Sequence, residues 1–148
     1  MVKKELLDTI HKVIQNRILA SSKILDDIQQ SIDAESNSTA GDKHDTSREL
    51  MQQERNKAAQ NLQNQMNLDA LFIKLKDVET SIQVSFGSLI SSSIGWVFIG
   101  LPLGRISFNS YDILCVSGNS PIASKLSGSK AGAVLSVNGQ QIEVYNVK

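Results

Sequence analysis

Apolar side chains recur at helical spacing along the first part of the chain. The recurring positions are Leu7, Ile10, Ile14, Ile18, Leu25, Ile28 and Ile32, with Val13 and Ile24 beside them. This spacing places the apolar side chains on one side of a helix. The pattern therefore predicts a single amphipathic helix of about 33 residues, which would be about 50 Å long at the usual rise per residue.

A run of turn-forming residues from Glu35 to Gly41 interrupts this pattern, because serine, asparagine and glycine favour turns over helix interiors. A second periodic segment passes through Met51, Ala58, Leu62, Met66, Leu71, Phe72 and Leu75. Neither helix would be stable alone in water with an apolar stripe exposed. We therefore predict an antiparallel helical hairpin, a coiled coil that turns near Gly41. The alternative, a compact bundle, would need further long helices that the remaining pattern does not predict.

The second half of the chain has the pattern of short strands and turns. Segments rich in β-branched and aromatic residues lie at 81–85, 96–101, 112–116, 134–137 and 142–147. Asn138-Gly139, between the last two segments, is a strong signal for a two-residue hairpin turn. These segments predict an antiparallel sheet.

One short helix is predicted between the third and fourth of these strands. Ser120 can cap it, and Pro121 fits its first position, where a missing N–H costs nothing. Ile122 and Leu126 lie four residues apart and would face the sheet. The predicted fold class is therefore α+β: a helical hairpin followed by a small antiparallel-sheet domain with one short helix.

The composition of the chain also changes near residue 78, in agreement with helices before this point and strands after it. Residues 1–78 hold eleven Lys and Arg residues and twelve Asp and Glu residues, against four and three afterwards. This first part has one glycine, Gly41, and no proline, whereas the rest holds eight glycines and both prolines. We predict two domains, a hairpin over 1–78 with an acidic tip near 41–45 and a sheet domain over 79–148.

Charge and cysteine content exclude several classes of protein. Fifteen Lys and Arg residues balance fifteen Asp and Glu residues, so the basic excess typical of direct nucleic-acid binding is absent. Any link to nucleic acid would then run through a protein partner. The single cysteine, Cys115, excludes an internal disulfide and a cysteine zinc site, and we expect it in the core. Without a signal-peptide or membrane-helix pattern, a cytoplasmic protein with no membrane partner is expected.

The ordered motifs resemble those of bacterial transcription elongation factors of the GreA/GreB type. In that family the hairpin tip carries Gly-Asp-x-x-Glu, and the matching residues are Gly41-Asp42-Lys43-His44-Asp45. The family's FKBP-like C-terminal domain opens with Phe-Gly-Ser, matched by Phe86-Gly87-Ser88, and later carries Ser-Pro-[Ile/Leu], matched by Ser120-Pro121-Ile122. The similarity covers nearly the whole chain. It departs from the family at Asp45, where Glu is usual, and at Gly132-Ala133, where a Gly-Asp pair is usual.

The resemblance implies a factor that is not itself an enzyme. It would bind RNA polymerase through the secondary channel and stimulate cleavage of backtracked transcripts. Asp42 and Asp45 would be the catalytic carboxylates, holding a Mg²⁺ shared with the polymerase active site. Two carboxylates three residues apart at a helix start can share one ion, and such an ion can activate water for hydrolysis. Ser120, Pro121 and Ile122 would contact the polymerase at the channel rim.

The residues themselves leave other roles open. Asp42 can cap the second helix, with Asp45 favoured by the helix dipole, while Thr46 and Glu49 have the spacing of a capping box. The Ser120-Pro121 pair is also an ordinary helix start. Two alternatives to cleavage stimulation therefore stand: a Gre-like regulator that occupies the polymerase channel without stimulating cleavage, and a coiled-coil adaptor unrelated to polymerase.

Overall fold

Two long helices begin the chain, and a sheet with one short helix follows them. The computed structural model describes residues 1–36 and 45–148. Helix α1 spans Lys3–Ser36 and helix α2 spans Asp45–Leu75. Neither helix contains glycine or proline, so nothing in either sequence breaks its hydrogen-bond ladder. The predicted α+β class is confirmed. Over the described ranges, no helix has both the length and the apolar character needed to cross a membrane.

The described chain forms two compact units. The helical unit is His11–Asp69, and the sheet unit consists of Met1–Ile10 and Ala70–Lys148. The first turns of α1 and the last turns of α2 thus group with the sheet, because side chains such as Leu75 pack against Gly100 there. This division differs from the ranges 1–78 and 79–148, whose independence as folding domains stays a prediction.

Within the helical unit, three hydrogen bonds cross from α1 to α2. They join Gln15 to Asp69 at 3.1 Å, Ser21 to Asn61 at 3.1 Å, and Gln29 to Arg55 at 2.6 Å. Residue numbers rise along α1 as they fall along α2, so the helices are antiparallel, as predicted. Asp69 also lies 3.9 Å from Nε2 of His11.

The seam between these helices has the alternating three- and four-residue spacing of a coiled coil. Its buried and half-buried positions are Ile14, Ile18, Ser21, Leu25, Ile28 and Ile32 on α1 and Met51, Arg55, Ala58, Leu62 and Gln65 on α2. Met66, which apolar periodicity places in the seam, is 49% exposed. That prediction is wrong, because the heptad register puts the polar neighbour Gln65 at the seam.

The sheet unit holds six strands and the short helix. The strands are β1 Leu89–Ser92, β2 Gly95–Ile99, β3 Gly104–Phe108, β4 Tyr111–Val116, β5 Val134–Val137 and β6 Gln140–Val147, and helix α3 is Pro121–Leu126. Their order in the sheet is β3-β4-β2-β1-β6-β5. Strands β2 and β4 pair in parallel, and the four other neighbouring pairs are antiparallel. The sheet predicted as antiparallel is therefore mixed, because one of its five pairs is parallel. The chain crosses from β2 to the edge strand β3 and turns back, which leaves β4 between them.

Turn geometry explains two of the hairpins. Asn138 and Gly139 have φ values of 52° and 79° and join β5 to β6, as predicted for a two-residue turn. Asn109 and Ser110, with φ values of 47° and 67°, make the same kind of turn between β3 and β4. The sequence does not signal this second hairpin, because its turn lacks the glycine that usually marks one.

Residues 81–85 form no strand, contrary to the prediction. Val84 is buried there and bonds to the turn after α3. Its N–H donates to the carbonyl of Ser129 at 2.8 Å, and its carbonyl accepts from the N–H of Gly128 at 2.8 Å. An apolar residue that docks on a turn produces the same alternating pattern as a strand.

Both faces of the central strands are buried. On one face Val97 and Ile99 of β2 share a core with Ala123 and Leu126 of α3. Side chains alternate along a strand, so Phe98 points to the opposite face together with Ile113 and Cys115 of β4. Each of these three residues is at most 2% exposed. The expectation that Cys115 is a core residue is confirmed. The helix-end residues of the same unit are also buried: Leu6, Ile10, Phe72 and Leu75.

Two lysines tie the start of α1 to the end of β6 within the sheet unit. Lys3 Nζ donates to the Lys148 carbonyl at 3.2 Å, and Lys148 Nζ donates to the Met1 carbonyl at 2.9 Å. Lys148 also exchanges two backbone hydrogen bonds of 2.9 Å with Leu89. Desolvation by burial lowers the pKa of the Lys3 ammonium group from its ordinary value.

We expect Lys3→Met to remove a small rise of stability with pH. The folded chain holds the Lys3 proton less tightly than the unfolded chain does. At neutral pH the charged ammonium group therefore lowers the free energy of unfolding. This penalty is lost as pH rises through the lowered pKa towards the ordinary value of 10.5. Because the group is partly solvated, the rise in the free energy of unfolding should stay below about 1 kcal/mol.

Urea unfolding of the wild type and of Lys3→Met, at about pH 8 and about pH 10, checks this prediction. Lys4→Met is the matched control, because the Lys4 side chain is exposed on the same turn. An equal change in the pH dependence for both variants would contradict the assignment to Lys3.

Candidate functional site

The two predicted carboxylates belong to the end of the hairpin where α1 stops and α2 starts. Asp42 is one of residues 37–44, which lie outside the described residues, as do Gly41 and His44. Asp45 is the first residue of α2, and its side chain is not described either. Their roles as catalytic groups and Mg²⁺ ligands therefore stay predictions.

The described residues of α1 that precede this segment are acidic. Its last eleven residues carry four carboxylates and no basic residue: Asp26, Asp27, Asp33 and Glu35. Asp33 and Glu35 lie in the last turn of α1, where carboxylates oppose the helix dipole. Among the residues whose side chains are described, 1–35 and 47–148, no three or more His, Cys, Asp or Glu side chains are grouped so as to hold a metal.

The second predicted site is the start of α3. Ser120 caps this helix, because its Oγ accepts from the N–H of Ala123 at 3.2 Å and donates to the carbonyl of Ser117 at 2.8 Å. Pro121 takes the first helical position and is exposed, and Ile122 is half-buried. The Ser120 hydroxyl is thus committed to the helix start, while Pro121 and Ile122 remain accessible.

Pro121 and Ile122 line an open groove of about 440 Å³ beside α3. Its other walls come from the end of β4, the β1–β2 turn and the β5–β6 hairpin. The apolar lining residues are Ile94, Val116, Pro121, Ile122, Val137 and Ile142, and the polar ones are Ser120, Asn138 and Gln140. All nine are uncharged. A groove with an apolar floor and a neutral polar rim is suited to side chains of a protein partner.

Sequence reasoning misses the β5–β6 side of this groove. The hairpin itself is predicted from Asn138-Gly139, but its position beside Ile122 is set by the sheet order, in which β6 pairs with the distant strand β1. One local signal was available. The short connection of residues 127–133 between α3 and β5 keeps these elements close together.

Comparisons with known proteins give a distant similarity among solved structures. No protein-family model matches the chain, and no curated protein matches it significantly. Among solved structures, the chain is similar to the GreA factor homolog 1 (Gfh1) of Thermus thermophilus. The identity is 17%, the match covers 97% of this chain and 93% of that one, and the TM-score is 0.35. At this identity and TM-score, the similarity shows neither a family nor a partner nor an activity for this chain.

Proposed function

We propose that the protein is a Gre-type accessory factor of RNA polymerase, whose hairpin enters the secondary channel and stimulates cleavage of backtracked transcripts. The observation that carries this proposal is the antiparallel pair of helices, of 34 and 31 residues, joined by a segment that contains Asp42 and leads into Asp45. A helix of this length extends about 50 Å. It can therefore carry its connecting segment to a site buried inside a large partner.

Asp42 and Asp45 would act at the polymerase active site, and the factor would have no complete active site of its own. Their carboxylates would help to hold a Mg²⁺, which can activate water and stabilise the leaving oxygen of a hydrolysed transcript. Mg²⁺ binds through one or two carboxylates and keeps several waters, so two added acids are sufficient. The carboxylates of the last turns of α1 favour the approach of such a cation.

The groove beside α3 would anchor the factor to polymerase. Its apolar floor and uncharged rim have the composition of a protein-docking surface. Pro121 and Ile122 line this groove, whereas Ser120 acts indirectly by holding the helix start. Docking and chemistry would then depend on different residues, which variants can separate.

A second candidate function is a regulator that occupies the channel without stimulating cleavage. Asp45 favours it, because this side chain is one methylene shorter than the Glu usual at the matching position of GreA/GreB factors. The carboxylate of Asp45 therefore would not reach as far from the backbone as the carboxylate of a Glu.

Transcript cleavage by stalled RNA polymerase of the source organism tests the proposal. We expect the wild-type chain to accelerate Mg²⁺-dependent shortening of the RNA. Asp42→Asn and Asp45→Asn should each lose this acceleration and still bind polymerase. Asp8→Asn is the matched control, because it removes an exposed carboxylate from α1 outside the acidic last turns and should leave the acceleration unchanged.

The outcomes separate the candidate functions. Binding of the wild-type chain without acceleration would overturn cleavage stimulation and support the channel-occupying regulator. Failure to bind polymerase would overturn both and leave the coiled-coil adaptor.

A further inference from the structure

A polar layer interrupts the seam of the helical unit. Ser21 is only 6% exposed, and its Oγ accepts a hydrogen bond from Nδ2 of Asn61 at 3.1 Å. Asn61 Oδ1 in turn accepts from Nε2 of Gln65 at 3.4 Å. Seam positions of a coiled coil are normally apolar, and a polar side chain there lowers its stability. Ser21 and Gln65 take seam positions and Asn61 lies exposed beside them, so this layer of three polar residues is weaker than the isoleucine-rich seam around it.

This polar layer also contains an unsatisfied acceptor. Gln65 Oε1 is buried and has no hydrogen-bond partner among the residues that the structure describes. Gln60 and Gln63 on the same helix donate to side chains four residues ahead at 3.0 Å, but both are exposed, so water can reach their free groups. A buried acceptor without a donor destabilises the closed seam, and an opening that admits water removes this penalty.

Little apolar packing opposes such an opening. Ala58, the seam residue one turn from Asn61, offers only a methyl group to the partner helix. Ile18 and Leu62, the seam residues three positions before Ser21 and Gln65, are half-buried. Because the stabilisation from apolar burial scales with the area removed from water, these contacts hold the helices together less firmly than fully buried side chains would.

We propose that α1 and α2 separate locally and reversibly at the layer of Ser21, Asn61 and Gln65, which makes this layer a joint within the hairpin. The joint opens while the sheet unit stays folded. Separated helices are only marginally stable in water, so each opening is brief and the seam reforms. The joint does not depend on whether the protein binds polymerase.

Thiol labelling of Ala58→Cys in the full chain tests the joint, with the native Cys115 as an internal reference. Ala58 is 9% exposed and Cys115 is 2% exposed, so each thiol reacts mainly when its surroundings open. We expect position 58 to be labelled at least about ten-fold faster than Cys115. Adding Gln65→Leu, which removes the unsatisfied acceptor, should slow labelling at position 58 about ten-fold and leave Cys115 unchanged.

Gln63→Leu is the matched control, because Gln63 is exposed on the same helix, and it should change neither rate. Equal slowing at both thiols by Gln65→Leu would mean that the whole chain is stabilised, and the joint would be refuted. An unchanged rate at position 58 would refute it as well, because opening there would not involve Gln65. If circular dichroism shows that Ala58→Cys loses helix, Ser21→Cys, which is nearly isosteric, probes the same layer.

Discussion

On the proposed function, Ile122→Asp should weaken binding of the chain to RNA polymerase by about a hundred-fold. Ile122 is half-buried and lines the groove beside α3. A partner that covers the groove would desolvate the introduced carboxylate, which would find no cationic side chain among the lining residues. Loss of an apolar anchor at the centre of an interface removes about 2–4 kcal/mol, and 3 kcal/mol corresponds to about a hundred-fold in affinity. Equilibrium titration of the labelled chain with polymerase measures the effect.

Ser124→Asp provides the matched control for this prediction. Ser124 is exposed on α3 and does not line the groove, so its replacement adds the same charge to the same helix. We expect its affinity to stay within about two-fold of the wild type. Equal weakening by both variants would assign the effect to the charge of α3. Full binding by Ile122→Asp, with its fold verified by circular dichroism, would exclude the groove from the docking surface.

The long helices could be predicted from the sequence because many turns repeat the same periodic signal. The error at Met66 shows the limit of this reasoning. Apolar periodicity chooses the apolar member of the pair Gln65 and Met66, whereas the heptad register of two packed helices places Gln65 at the seam. Only the cross-helix bonds, such as that from Asn61 to Ser21, establish this register.

The sheet was predictable only where its signals are local. The β5–β6 hairpin follows from Asn138-Gly139, because the turn and both strands are adjacent in the chain. The parallel pairing of β2 with β4 has no local signal, since it depends on where β3 is placed in the sheet. The candidate site divides in the same way. Ser120 and Pro121 predict the start of α3, whereas Ile142 joins its groove through strand pairing that the sequence does not reveal.

Gly100→Ala should lower the free energy of unfolding of the sheet unit by about 3 kcal/mol. A Cβ at this position would lie 2.9 Å from both Cδ1 and Cδ2 of Leu75 and 3.3 Å from Cε2 of Phe86. Leu75 is only 3% exposed, so its side chain has little room to move away. Overpacking of this kind costs about 1–3 kcal/mol. The φ of +145° at Gly100 adds backbone strain of about 1 kcal/mol or more for any residue with a side chain.

Gly95→Ala separates the two contributions. Gly95 also has a positive φ, of +101°, but a Cβ there would meet nothing within 4 Å. Its substitution should therefore cost only the backbone strain, about 1 kcal/mol. Urea unfolding measures both variants, and an unchanged slope with a lower midpoint would assign the effect to stability. If the two variants unfold at the same midpoint, the Leu75 side chain can repack around the added Cβ, and its close contact with Gly100 does not determine the stability of the sheet unit.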